Sequence, residues 1–195
     1  LLNHEEVLAI FRRAEVLKEG HFLLTSGLHS AHYLQCAQLL QYPEETAKLC
    51  TALAENFENQ EITTVIGPAI GAIIMSYEVA RHLKARSLWA ERENGVMSLR
   101  RGFSLREGEK VLIVEDVVTT GGSVHEVIQA VKQHGAIPVG VGVLVDRSNG
   151  RCDFGIPMVS LIKFNVEANP PEDCRLCRSG VPLAKPGSRQ ITVMP

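Results

Sequence analysis

From Ile62 onward the chain repeats one pattern, an apolar run short enough for a strand followed by an amphipathic stretch long enough for a helix. "ITTVIG", "RSLWAE", "KVLIVED", "PVGVGVLVD" and "MVSLIKF" read as strands, with "AIIMSYEVARHL" and "SVHEVIQAVKQHG" as helices among them. Parallel neighbours need a long crossover, and a crossover helix must bury its apolar stripe on the sheet. The predicted fold class is therefore α/β, a central parallel sheet flanked by helices. In such sheets ligands bind beyond the carboxyl ends of the strands.

The segment before the sheet reads differently. Asn3 with Glu6 forms a capping box, and "LLNHEEVLAIFRRAEVLKEG" is expected as one amphipathic helix with Val7, Leu8, Phe11, Ala14 and Leu17 on its apolar face. "HFLLTSG" and "HYLQC" follow as strand-like pieces joined by a Ser-Gly turn, and "YPEETAKLCTALAENF" places Pro43 at a helix start. A small N-terminal subdomain is thus expected ahead of the main sheet.

At 195 residues and 45% hydrophobic, the chain can bury one sizeable core, and a single domain is expected over 1–195. Twenty Lys+Arg against 22 Asp+Glu give a net charge of -2, which provides no polycationic surface for nucleic acid. No apolar run has membrane length, and the N-terminal stretch lacks the pattern of a signal peptide. Cys36, Cys50, Cys152, Cys174 and Cys177, an odd number, fit a reducing compartment, so a cytoplasmic protein with a small-molecule ligand is expected.

"VLIVEDVVTTGGS" indicates what that ligand carries. Val111 to Val114 read as buried strand, which places Glu115 and Asp116 at its carboxyl edge and Thr119 to Ser123 in the loop that opens the next helix. Backbone N–H groups of a Gly-rich loop at a helix N-terminus make an anion site, here with the hydroxyls of Thr119, Thr120 and Ser123 beside it. Carboxylates next to a phosphate need a different partner, either a divalent cation or the vicinal hydroxyls of a sugar. A ribose 5-phosphate satisfies both halves. The loop lacks the Walker A pattern, and no G-x-G-x-x-G follows a strand.

"VLIVEDVVTTGGSV" resembles the 5-phosphoribosyl 1-diphosphate motif of type I phosphoribosyltransferases, and three further stretches narrow the resemblance to the orotate branch. They are "GHFLLTSGLHSAHYLQ", "AERENGVMSLRRGF" and "LVDRSNG"; the tail "CRLCRSGVPLAKPGSR" is similar to tails in one bacterial group of that branch. The resemblance implies the type I fold with an N-terminal hood over 1–40, a core sheet over 60–165 and a C-terminal tail over 166–195. It implies transfer of a phosphoribosyl group to orotate, in pyrimidine biosynthesis, by a homodimer using Mg²⁺ held mainly through substrate. No decarboxylase-sized second domain is expected.

Residue by residue, the resemblance assigns Glu115 and Asp116 to the ribose hydroxyls, and Val117, Val118, Thr119, Thr120, Gly121, Gly122 and Ser123 to the 5-phosphate, with Thr119 close enough to touch the pyrimidine. Gly67, Pro68, Ala69, Ile70 and Gly71 match the diphosphate turn. Tyr33 and Leu34 match hood positions over the base, and Arg147 matches the basic residue that holds orotate. "ERENGVMSLRRGF" matches a flexible loop given to the neighbouring subunit's site. That stretch holds no lysine: Val96 stands where the family carries its catalytic lysine, and Arg92, Arg100 and Arg101 are expected to face the leaving diphosphate instead. Thr25, Leu28, Ile70 and Gly71 also occupy positions where basic residues are frequent.

Two rivals stay open: transfer to another base, such as a purine, and a non-catalytic regulator that senses phosphoribosyl diphosphate. Cys174 and Cys177 form one CxxC, and a zinc site would need an intersubunit partner or borrowed histidines, so a structural turn is expected there. His29 and His32 are expected as polar loop residues, Trp89 as core at a strand end, and His82, His125 and His134 as water-facing. Lys185 and Arg189 are expected in a solvated tail.

Overall fold

Val111, Leu112, Ile113 and Val114 alternate between two apolar layers, and all four are fully buried. Such burial contributes about 1.5–3 kcal/mol per large apolar side chain, enough to hold this strand at the centre of the molecule. The structure, a computed structural model, describes residues 2–24, 26–164 and 167–186.

The N-terminal part comprises α1 (His4–Arg13), β1 (Leu17–Leu23), β2 (His29–Leu34), a short α2 (Ala37–Leu40) and α3 (Pro43–Ala54), which runs on into a 3-10 segment, Glu55–Gln60. The core adds β3 (Thr64–Pro68), α4 (Ile73–Leu83), β4 (Arg86–Glu93), β5 (Val96–Leu99), β6 (Lys110–Val118), α5 (Gly122–Gln133), β7 (Ile137–Asp146) and β8 (Met158–Lys163). A short β9 (Ala168–Asn169), a 3-10 turn (Pro171–Asp173) and α6 (Arg175–Arg178) follow.

Six strands pair in the order β5-β4-β3-β6-β7-β8. Five of them run parallel, whereas β5 returns antiparallel to β4. One face packs Leu112, Val114 and Leu144 against α1, α3 and α4; the other packs Val111, Ile113 and Val143 against Val124, Val127 and Val131 of α5. The expected doubly covered α/β sheet is present, with an antiparallel edge strand that periodicity did not show.

Two boundaries differ from the sequence expectation. The first helix stops at Arg13 because Glu15 turns left-handed, at φ 49°, and the Val16 N–H closes back onto the Phe11 carbonyl. Val16 and Leu17 thus leave the helix, and Leu17 opens β1. Strand β6 runs past the acid pair to Val118, still paired with β7 at Val117↔Val145 and Val118↔Asp146, so Glu115 and Asp116 lie within a strand.

The β1–β2 hairpin gains a third strand from the tail, since β9 pairs antiparallel with β2 at His29↔Asn169 and Ser30↔Ala168. Further on, the tail returns along β1: the Leu23 N–H donates to the Ala184 carbonyl, and the Ala184 N–H donates to that of His21. No described helix is long and apolar enough to cross a membrane.

Candidate functional site

Strand β6 carries the acid pair out of the core. Glu115 is buried, and burial holds its carboxyl well above the usual range, with the neighbouring Asp116 charge pushing the same way. Burial raises Asp116 as well, while the Val117 N–H, donating to Oδ1 at 2.7 Å, pulls it back. Each unpaired negative charge in this setting is costly, so the pair is primed for a partner that donates hydrogen bonds or brings positive charge.

Beyond the strand, Thr119 and Thr120 lead to Gly121, which takes φ 75° at the N-cap of α5. A Cβ there would stand 2.8 Å from the Phe154 ring, so this position needs glycine for both conformation and space. No side chain caps α5, and its first residues line an open cavity of about 70 Å³. That cavity is lined by Glu115 and by the run from Val117 to Val124. The positive end of a helix and a carboxylate therefore share one small space.

A second turn closes from β3. Gly67 sits where a Cβ would meet Ala72 Cβ at 2.5 Å and the Val114 carbonyl at 2.9 Å, so the Gly67–Gly71 turn lies tight against β6. A Cβ on Gly71 would lie 3.3 Å from Asp116 Oδ2. Helix α4 begins just after this turn, also without a side-chain cap. Pro68 ends β3, the Ala69 N–H donates to the Ala90 carbonyl at 2.7 Å, and Ile70 is 85% exposed. Asp116 is thus bordered by one anion-favouring turn, and Glu115 by another.

Arg147 follows β7. Its N–H donates to the Val118 carbonyl, and Ser148 fixes the turn through two bonds to Asp146 Oδ1, at 2.8 Å from N and 2.6 Å from Oγ. Burial lowers the guanidinium below its ordinary value, and Nε is buried with no hydrogen-bond partner among the described residues. Tyr33 is half-buried; burial raises its hydroxyl, Arg147 pulls it down and Asp116 pushes it up. Leu34 points the opposite way, into the core with Val7 and Phe11, as alternation along a strand requires. Tyr33, but not the Leu34 side chain, therefore joins Arg147.

The stretch expected as a flexible loop is a β4–β5 hairpin. Asn94 and Gly95 both take positive φ, 51° and 84°, and Asn-Gly is the pair that a two-residue hairpin turn prefers. That signal was present in the sequence and was missed. The arginines are held by carboxylates of their own chain: Arg92 lies on Glu126 at 2.7 Å, Arg100 on Glu93 at 2.9 Å, and Arg101 on Glu91. None of the three lines the cavity.

Trp89 lies within β4, half-buried, stacked edge-on to Phe103 and donating to Glu91. His125 and His134 are exposed, and His82 bonds Glu58. Thr25 and Arg189 lie outside the described residues. The other missed group is in the hood: His21, which carried no expectation, and His29, expected as a polar loop residue, are both buried and meet Cys174 and Cys177.

The phosphoribosyl transferase domain family matches residues 35–172. Over 191 residues the chain is 60% identical to a protein named orotate phosphoribosyltransferase from Desulforamulus reducens, covering 98% of this chain and 100% of that one. Among solved structures, orotate phosphoribosyltransferase from Aeropyrum pernix aligns with a TM-score of 0.69 at 23% identity, covering 81% of this chain and 93% of that chain. Adenine phosphoribosyltransferase from Rhodothermus marinus aligns with a TM-score of 0.63 at 21% identity, covering 80% and 99%. At those identities the structures speak for the fold alone.

Proposed function

This chain belongs to the orotate phosphoribosyltransferases of the type I phosphoribosyltransferase family, and from that premise we propose how its residues transfer the phosphoribosyl group of 5-phosphoribosyl 1-diphosphate to orotate, giving orotidine 5'-monophosphate and diphosphate. The observation that carries the reading is the acid pair, Glu115 buried and Asp116 half-buried, bordered by two anion-favouring turns. One sugar bearing phosphates at both ends fits that order.

In this reading the 5-phosphate takes the α5 N-terminus, from Val117 to Ser123, and the ribose hydroxyls donate to Glu115 and Asp116. The diphosphate takes the Gly67–Gly71 turn. Breaking the bond from the anomeric carbon to diphosphate develops positive charge on the sugar, which the Asp116 carboxylate stabilises, while a ring nitrogen of orotate forms the new bond and its proton passes to the departing diphosphate. The hard oxygens of the acid pair, and the space at Gly71 that a Cβ would fill, suit a magnesium ion carried by the substrate, which would neutralise charge on the leaving group. The arginines of the hairpin exchange Glu91, Glu93 and Glu126 for the diphosphate of a neighbouring subunit. Ile70, Ile74 and Tyr77, exposed at the start of α4, supply an apolar face for that homodimer. The unit acts in the cytoplasm, in pyrimidine biosynthesis.

Base choice rests on Arg147, whose buried, unpartnered Nε suits a carboxylate or carbonyl held in the plane of a fork. A scan of several bases with the sugar diphosphate and Mg²⁺, read by diphosphate release, should single out orotate. Arg147→Ala should cost about 10- to 100-fold in orotate kcat/KM, the equivalent of about 1.5–3 kcal/mol for a charge-assisted bond, with sugar-diphosphate affinity unchanged. Equal use of a purine, or an indifferent variant, would overturn the assignment.

A further inference from the structure

We propose that His21, His29, Cys174 and Cys177 form a zinc site that locks the C-terminal tail onto the N-terminal hood. His21 Nε2 lies 3.0 Å from His29 Nδ1, Cys174 Sγ 3.4 Å from His21 Nε2, and Cys177 Sγ 3.7 Å from His21 Nε2 and 3.2 Å from His29 Nδ1. All four ligand atoms fall within 4.8 Å of one another. In a tetrahedral site with Zn–N about 2.0–2.1 Å and Zn–S about 2.3 Å, the edges between ligand atoms are roughly 3.3–3.8 Å. Those four separations lie within a few tenths of an ångström of these edges, and the remaining ones, none above 4.8 Å, need to close by about 1 Å at most to surround one ion.

Hydrogen bonding outside the cluster prepares one ligand. His21 Nδ1 lies 2.8 Å from the Val181 carbonyl, to which it can only donate, and this leaves Nε2 as a bare lone pair aimed at the other three atoms. Metal-bound histidines are oriented by such a bond from the second nitrogen. Three of the four residues are nearly sealed from water, with His21, His29 and Cys174 at 3%, 5% and 3% exposure. Two soft thiolates with two imidazoles in a tetrahedral array select zinc over the hard cations that oxygen donors take. Binding releases the two thiol protons and involves no electron transfer.

The topology indicates what the ion does. His21 lies on β1 and His29 opens β2, while Cys174 precedes α6 and Cys177 lies within it, 153 and 156 residues from His21 along the chain. All four positions fall outside residues 35–172, the segment with the family's domain signature. The ion fastens an addition to that domain, closing a long loop in the unfolded chain and holding the hairpin that carries Tyr33.

The test uses the full-length protein, purified, loaded with zinc and desalted. Elemental analysis should find about one zinc per chain, and replacement by Co²⁺ should give the visible bands of a tetrahedral thiolate site. Cys177→Ser and His29→Gln should each lose most of the metal, and Cys177→Ser, at the exposed ligand, keeps the test valid if a core ligand variant fails to fold. Chelation should lower the Tm by roughly 5–10 °C and expose two additional thiols to alkylation. Less than a tenth of an equivalent of zinc, with no cobalt spectrum, would overturn the proposal whether or not orotate is turned over. So would a Cys174–Cys177 disulfide that persists under reducing conditions.

Discussion

Asp116 shows how one side chain serves two purposes. Its carboxylate accepts from the Val117 N–H and faces Gly71, so it both shapes the strand end and borders the Gly67–Gly71 turn. Asp116→Asn preserves the volume and loses the charge; calorimetry should find the sugar diphosphate bound about 10- to 100-fold more weakly, and unchanged affinity would remove the ribose role. Glu115 gives the pH dependence. Native Glu115 holds its proton at pH values where the unfolded chain has released it, so its contribution to the stability of the ligand-free protein falls as pH rises from the ordinary carboxylate value of about 4.3 through the raised native one. Binding runs the other way, because ribose hydroxyls need the ionised pair: affinity should weaken by up to about tenfold per unit as pH drops below the raised value. Thermal melts and calorimetry over the same pH series would read both trends, and Glu115→Gln should flatten the first. A Glu115→Gln variant whose stability profile over that range matches the wild type would contradict the burial argument.

At the scale of elements, the loop from β6 into α5 depends on Gly121. Gly121→Ala must place a Cβ at φ 75° and against Phe154, which costs about 1–2 kcal/mol in backbone strain alone and should lower the Tm by roughly 2–8 °C, with weaker phosphate binding in calorimetry. An unshifted Tm would show that the turn relaxes. Elements of this kind were legible from sequence where the cause is local. Asn3 and Glu6 do form the capping box, and "KVLIVED" is the central strand. Asn94-Gly95 was equally local, but the resemblance to a mobile family loop masked it. What could not be read has its cause far along the chain. The extension of β6 past Asp116 depends on pairing with β7, and nothing near His21 signals two cysteines more than 150 residues away. Strand β9 is two residues long, too short for any periodicity to show.

For the whole molecule, the proposed role of the hairpin arginines has to overcome the carboxylate that each holds on its own chain. Surface ion pairs of this sort contribute about 0–1 kcal/mol, so a diphosphate with its larger charge can displace them. Arg100→Ala combined with Arg101→Ala should lower kcat at least about tenfold while sugar-diphosphate affinity stays within a few fold, since the exchange happens only as the leaving group departs. Mixed with Asp116→Asn, this variant should recover activity in hybrid dimers, where one site carries both defects and the other neither. Wild-type turnover in the arginine variant, or no recovery on mixing, would reject a shared loop.

The tail strand also sets an order of events. Its pairing with β2 at residues 168–169 lies later in the chain than every strand of the six-stranded sheet. A polypeptide leaving the ribosome N-terminus first has its β6–α5 loop in hand while the hood is still a two-stranded ribbon, marginal by itself. The strand that finishes the first hairpin made is thus synthesised after every strand of the main sheet.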